Sequence, residues 1–326
     1  MKHLTRRTIL FGLPALGPLV AQTNRGLIAA RKLSQMTLNV TDLKRSVEFY
    51  QGLFGMPVQS RVDGVVLLRV GPGPQYLALK QAPKAGFSHY GIGVESFNAD
   101  RVAQILAGRG VAKTDGAPGA MQYQLRSRAG TAELLFGDPD GIVAQVQDVS
   151  YCGGSGALGN VCGAVEAAPR KGLLALQDLS HFTIFGANAA TSQAFYQEVF
   201  GLFVQAHQGA AAPVFGVGAG PQFLMLAAGP GRADAAGSIN HGCFSMPGFD
   251  PDTVLKTLTS FGLKAREGTA AAGPLMHYVS VRMENRGGAP GGTPELYFTD
   301  PDGILLQLQD VTYCGGGGKL GEICTA

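Results

Sequence analysis

The chain states one pattern twice. Tyr151-Cys152-Gly153-Gly154-Ser155-Gly156-Ala157-Leu158-Gly159-Asn160-Val161-Cys162 returns as Tyr313-Cys314-Gly315-Gly316-Gly317-Gly318-Lys319-Leu320-Gly321-Glu322-Ile323-Cys324. Just upstream, Phe136-Gly137-Asp138-Pro139-Asp140-Gly141-Ile142 returns as Phe298-Thr299-Asp300-Pro301-Asp302-Gly303-Ile304. Both pairs lie at the same offset, 162 residues. Solenoid units repeat every 20–50 residues or so, so this period is a duplicated domain. A chain of 326 residues suits two domains of about 150 residues each. Differences between the copies can therefore be read against an internal reference.

The first 21 residues are separate. Lys2, Arg6 and Arg7 precede an uncharged apolar run from Thr8 to Ala21. That is the layout of an export signal, and the paired arginines resemble a twin-arginine signal. The run is too short for a membrane span of about 20 residues, so no stable membrane anchor is expected. Export implies a periplasmic or secreted protein. Without residues 1–21 the chain has 23 basic and 23 acidic residues. This balance, with no Lys/Arg run, argues against a nucleic-acid partner. Hydrophobic residues make up 45% and charged ones 15%, which reads as globular.

Four of the five cysteines form the two Cys-x9-Cys tails. In an exported protein the natural reading is one disulfide per tail, Cys152–Cys162 and Cys314–Cys324. Cross-copy pairing and a structural zinc remain rivals. Cys243 is left as a free thiol.

Residues 22–32 read as a polar leader, 33–162 as the first domain, 163–176 as a linker and 177–324 as the second domain. Each domain alternates strand, helix and strands in two rounds. Ser34–Val40 alternates as a strand. Asp42–Phe54 reads as a helix closed by Gly55. His89–Val94 opens the second round. In the second copy the corresponding pieces are Leu179–Ile184, Thr191–Gly201 and His241–Met246. A helix over Asp250–Gly262 has Pro251 at its first turn.

The Asp-Pro-Asp-Gly turns, the Phe195-Tyr196-x-x-x-Phe200-Gly201 helix end and the paired βαβββ halves resemble the vicinal oxygen chelate superfamily. That superfamily includes glyoxalases, bleomycin-resistance proteins and extradiol dioxygenases. The resemblance implies an α+β fold of two tandem domains, each a pair of βαβββ modules curled into a mixed-sheet cup. It covers nearly all of residues 33–310 and not the cysteine tails.

The resemblance also implies where metal ligands would lie: on the first strand of each half and on the last strand. In the second copy these positions hold His181, His241 and Gln307. In the first they hold Gln35, His89 and Gln145. Two imidazoles and a carboxylate on one face hold Fe(II) with open positions. The second copy supplies both histidines but has Gln307 where dioxygenases carry Glu. Tyr297, with Asp300-Pro301-Asp302-Gly303 and Gln307, fits the tail of the extradiol dioxygenase signature, in which the Tyr assists at a substrate oxygen. The upstream His of that signature is absent, since residues 288–290 are Gly-Ala-Pro. His277 and His207 are candidates for an acid–base or outer imidazole, and His277 joins Tyr297 as a catalytic candidate. Cys243 shares a strand face with His241.

The reading is thus an exported metal-dependent oxidoreductase acting on a small molecule with vicinal oxygens, its site in the second domain. Its divalent ion would be Fe(II) first, with Mn(II), Zn(II) or no metal as alternatives. The competing readings are a non-catalytic small-ligand-binding protein and a glyoxalase- or isomerase-type lyase. Homo-oligomerisation is left open.

Overall fold

The computed structural model describes residues 26–128, 130–187, 189–209, 212–228 and 237–324. The signal expected over residues 1–21 lies outside them. Among the described residues, no helix is long and apolar enough to cross a membrane.

In the first copy the elements are β1 (Ala30–Val40), α1 (Leu43–Phe54), β2 (Val58–Val62), β3 (Val65–Arg69), β4 (Tyr76–Gln81) and β5 (Gly86–Val94). They continue with α2 (Ala99–Ala107), β6 (Ala112–Lys113), β7 (Gln122–Arg128), β8 (Thr131–Gly137) and β9 (Val143–Asp148). The second copy repeats the series. Its first half is β10 (Asp178–Gly186), α3 (Ala189–Phe200), β11 (Phe203–His207), β12 (Pro213–Gly216) and β13 (Phe223–Ala228). Its second half is β14 (Ser238–Met246), α4 (Pro251–Phe261), β15 (Lys264–Ala265), β16 (Met276–Arg282), β17 (Thr293–Thr299) and β18 (Leu305–Asp310).

Each copy forms one mixed nine-stranded sheet, ordered β2-β3-β4-β1-β5-β9-β8-β7-β6 and β11-β12-β13-β10-β14-β18-β17-β16-β15. The first strands of the two halves pair antiparallel at the centre, with Thr37 opposite His89 and Thr183 opposite His241. That pairing, not proximity in sequence, brings the two halves of each cup together.

The helix ends follow local chemistry. Asp42 caps α1 by accepting from the Arg45 amide, and Gly55 closes it at φ 66°. Asp250 caps α4 from the Thr253 amide, with Pro251 in the first turn. An oxygen at the N-cap satisfies an amide that has no intrahelical partner. The leader expected over residues 22–32 is shorter than the sequence suggests. Ala30–Lys32 belongs to β1, Ile28 is buried, and its amide donates to the Val199 carbonyl of the second copy.

The copies pack by a reciprocal exchange. Phe54 of α1 packs against Phe244 and Phe298 of the second copy. Phe200 of α3 stacks on Phe136 of the first. Tyr50 donates to Asp300 Oδ2 at 3.1 Å, and Tyr196 to Asp138 Oδ2 at 3.2 Å. Both aspartates open the Asp-Pro-Asp-Gly turns, and their Oδ1 atoms accept the amides two and four residues on. The turns therefore shape the last hairpin of each copy and also latch it to the other copy's helix.

Cys152 is bonded to Cys162 and Cys314 to Cys324, and Cys243 is free and buried. Each tail straps two arms of its sheet. The Cys152 and Gly153 carbonyls accept from Gln59 and Ser60 on β2, and that of Gly156 from Thr131 on β8. In the second copy the Cys314 carbonyl accepts from Gln205 on β11 and that of Gly318 from Thr293 on β17. Persistent disulfides are expected of an oxidising compartment.

Candidate metal centre and the two cups

Strand alternation turns every second side chain of a strand into the cup. In the second copy this brings together His181 of β10, His241 of β14, and Gln307 of β18. Cys243 is the register partner of both His181 and Gln307. All four side chains are buried.

The Nε2 atoms of His181 and His241 are 3.3 Å apart, a hydrogen-bond contact in the metal-free cup. Two nitrogens each about 2.1 Å from a common centre have this separation at an angle of roughly 100°. The far nitrogens are engaged. His241 Nδ1–H donates to Asn240 Oδ1 at 2.7 Å, and Ser180 Oγ lies 3.1 Å from His181 Nδ1. Such contacts fix ring orientation and leave Nε2 of His241 as a lone pair. Burial holds His241 down at about 4. Burial, and then the neighbouring His241, hold His181 well below the ordinary imidazole value. Both rings are therefore neutral near pH 7, the form that binds metals.

Gln307 lies beside both imidazoles as a side-chain hydrogen-bond neighbour, but neither its amide oxygen nor its nitrogen reaches a partner at full hydrogen-bond geometry. A buried, unsatisfied amide costs about 1–3 kcal/mol. Its oxygen is a suitable donor for a cation placed between the rings. The set of two neutral imidazoles and one amide thus fits a divalent ion, but brings no negative charge. Among the described residues no three His, Cys, Asp or Glu side chains are grouped to hold a metal. Glu295, on the same strand face as Tyr297, is committed elsewhere. It accepts from Arg282 Nε at 2.8 Å, Tyr313 at 3.0 Å and Tyr297 at 3.3 Å.

Tyr297 meets His241 edge-on, with ring centres 5.2 Å apart. Burial, with Glu295 beside it, pushes its phenol well above the usual value, so it is a proton-bearing hydroxyl. His277 is not brought to the cup. It pairs with Phe298 across the sheet, and its Nε2 is 2.8 Å from Thr259 Oγ1 of α4. No catalytic role is carried forward for it. His207 is an exposed residue at the end of β11.

Two residues beside the site escaped the sequence reading. Tyr278 stacks on Tyr297 with centres 5.0 Å apart, and the Arg266 guanidinium sits 3.5 Å above Tyr278. Arg266, Tyr278 and Asn240 line a cleft of about 430 Å³. The alternation of β16 could have marked Tyr278. Nothing local marks Arg266.

The first cup differs in kind. Gln145 Oε1 accepts from Gln35 Nε2 at 3.0 Å and faces His89 Nε2 at 3.2 Å. Gln145 Nε2 donates to Gln147 Oε1 at 3.1 Å. Tyr76 donates to Gln35 Oε1, and its hydroxyl is 3.2 Å from Gln147 Oε1. The network needs a glycine at position 91, where a Cβ would come within 2.5 Å of Gln35 Cγ. The second copy has Cys243 there.

The family model of the Glyoxalase/Bleomycin resistance protein/Dioxygenase superfamily matches residues 32–146 and 178–308. No curated protein matches the chain by sequence. Among solved structures, the 2,3-dioxygenase LapB from Pseudomonas sp. KL28 is 16% identical with a TM-score of 0.59, over 87% of this chain and 94% of that one. A catechol 2,3-dioxygenase is 16% identical with a TM-score of 0.60, over 89% of each chain. A Mn(II)-bound glyoxalase from Novosphingobium aromaticivorans is 15% identical with a TM-score of 0.58, over 86% and 82%. At these identities the likeness is one of fold. With both copies matched, the chain belongs to the Glyoxalase/Bleomycin resistance protein/Dioxygenase superfamily as a tandem pair of its domains.

Proposed function

We propose that the second cup is a metal-dependent site of the extradiol dioxygenase kind, acting on a small substrate with two vicinal oxygens. The observation behind this reading is the pair of Nε2 atoms 3.3 Å apart beside an amide with no other partner. His181, His241 and Gln307 would hold the ion, Fe(II) first and Mn(II) or Zn(II) as alternatives. The ion would act as a Lewis acid toward the substrate oxygens and as the redox centre where it is iron. With no carboxylate among the ligands, the site favours a substrate that brings its own negative charge, such as a catecholate. Tyr297 supports this role, because its ring stands beside His241 and its hydroxyl keeps its proton, which it donates to Glu295. Tyr278 and Arg266 stack outward from it toward the neighbouring cleft. The competing glyoxalase-type reading lacks the second acidic ligand such chemistry would use.

Export by the twin-arginine route belongs to the same proposal. It accounts for the N-terminal layout and agrees with the two disulfides. The test is oxygen uptake by the mature protein loaded with Fe(II), using catechol as probe. Stoichiometric uptake with ring-cleaved product, lowered at least about tenfold by Tyr297→Phe, is expected. Tight Fe(II) binding with no uptake for catechol, 3,4-dihydroxyphenylacetate or 2,3-dihydroxybiphenyl would contradict the dioxygenase assignment.

A further inference from the structure

We propose that the first cup is a separate, metal-free binding site for a small organic monocarboxylate. It encloses about 510 Å³, within the range of roughly 300–1,000 Å³ of small-molecule sites. Its floor holds no free metal ligand, because Gln35, Gln145 and His89 already satisfy one another. What singles the cup out is how it departs from the second at matching register positions.

Opposite Thr37 the first copy has Ala78, where Met225 stands opposite Thr183 in the second. Two residues on, Lys80 takes the place of Ala227. On the other arm, Arg126 opposite Glu133 takes the place of Ser280 opposite Glu295. Every exchange makes the first cup roomier or more positive. Lys80 is exposed and has no ion pair among the described residues. Arg126 is bound to Glu133, and Arg128 to Asp63 and Glu133. Three cations against two carboxylates leave a single positive charge at the mouth, which suits a monoanion better than a phosphate dianion.

Part of the wall is apolar. Val65, Leu67, Leu135 and Val143 face one another across the space, enough to enclose an aromatic ring or short aliphatic body. At the bottom, burial and then the nearby Arg126 hold His89 at about 3, so it stays neutral and adds no charge. A decayed duplicate would need neither the unpaired Lys80 nor the smaller Ala78.

The experiment is calorimetric titration of the full mature chain with benzoate, with hexanoate and inorganic phosphate as parallel probes. One benzoate or hexanoate per chain is expected. Affinity should fall at least about tenfold in Lys80→Glu. Ala78→Met, which installs the second copy's residue, should also weaken it, and His181→Ala should leave it unchanged. Lys80→Glu changes an exposed side chain, and an unchanged melting temperature verifies its fold. Three results would each overturn the proposal: no saturation by either carboxylate up to about 50 mM, tighter binding of phosphate than of both, or binding insensitive to Lys80→Glu and Ala78→Met. Loss of binding in His181→Ala would assign the ligand to the second cup, also against it. The metal hypothesis for the second cup stands or falls separately.

Discussion

Tyr76 and Phe223 occupy the same register position in their copies, opposite Gln35 and His181 respectively. The one hydroxyl that separates them divides the two cups chemically. Tyr76 closes an amide network in the first. Phe223 stacks on His181 at 4.2 Å and 7° in the second, and donates nothing. Gln147 Oε1 accepts from Gln145 Nε2 and lies 3.2 Å from the Tyr76 hydroxyl, while its counterpart Gln309 Oε1 is buried without a partner.

Phe223→Tyr should therefore stabilise the metal-free protein. A hydroxyl reaching Gln309 Oε1 would contribute about 1 kcal/mol. Urea denaturation should show a higher midpoint with an unchanged slope. A lower midpoint would mean that the His181 stacking outweighs the hydrogen bond.

The reciprocal Tyr–Asp latches give a second prediction. Tyr196→Phe leaves Asp138 Oδ2 without its tyrosine donor and should cost about 1–3 kcal/mol, with Tyr50→Phe costing a similar amount through Asp300. The mutations lie at opposite latches, so a double-mutant cycle should show near-additivity.

The latches also set a pH dependence. Burial pushes Asp138 up to about 7 and Asp300 to about 6. Asp138 faces Tyr196 and the neighbouring Asp140, and Asp300 faces Tyr50 and Asp302. A carboxyl whose folded value is raised binds its proton more tightly folded than unfolded. Its contribution is full below the unfolded value of about 3.9 and is lost as pH rises through the folded value. The stability profile should thus carry a component that declines between about pH 4 and 7, and Asp138→Asn should flatten it. A profile identical in the variant would exclude Asp138 as its source.

Thiol titration of the denatured chain without reductant should find one thiol, that of Cys243. Replacing Cys152 and Cys162 together by serine should cost about 2–3 kcal/mol in the chain-entropy model. More than one thiol would contradict the tail pairing.

Much of the fold was legible because local chemistry and alternation agreed. Asp42 and Gly55 bracketed α1, Asp250-Pro251 opened α4, and the repeated turn fixed the last hairpins. The leader is shorter than its composition suggests because Ile28 docks on the Val199 carbonyl of the other copy, which no local window reveals. The latch of Tyr50 to Asp300 spans 250 residues, and its aspartate reads locally as a turn former only. In the site, the family resemblance pointed to His181, His241, Gln307 and Tyr297. It did not place His277, whose position one residue before Tyr278 puts it on the outer face against α4. The difference between Gln145 and Gln307 comes from their neighbours: Gln145 bonds Gln35, His89 and Gln147, whereas in the second cup His181 stands at the register position of Gln35.

The most direct test is metal content of the purified protein after equilibration with Fe(II), Mn(II) or Zn(II). About one equivalent per chain is expected, lost in His181→Ala, with at least tenfold tighter binding in Gln307→Glu as the amide becomes a carboxylate. Less than about a tenth of an equivalent, with a melting temperature indifferent to chelator and unchanged binding in Gln307→Glu, would contradict a metal site in the second cup.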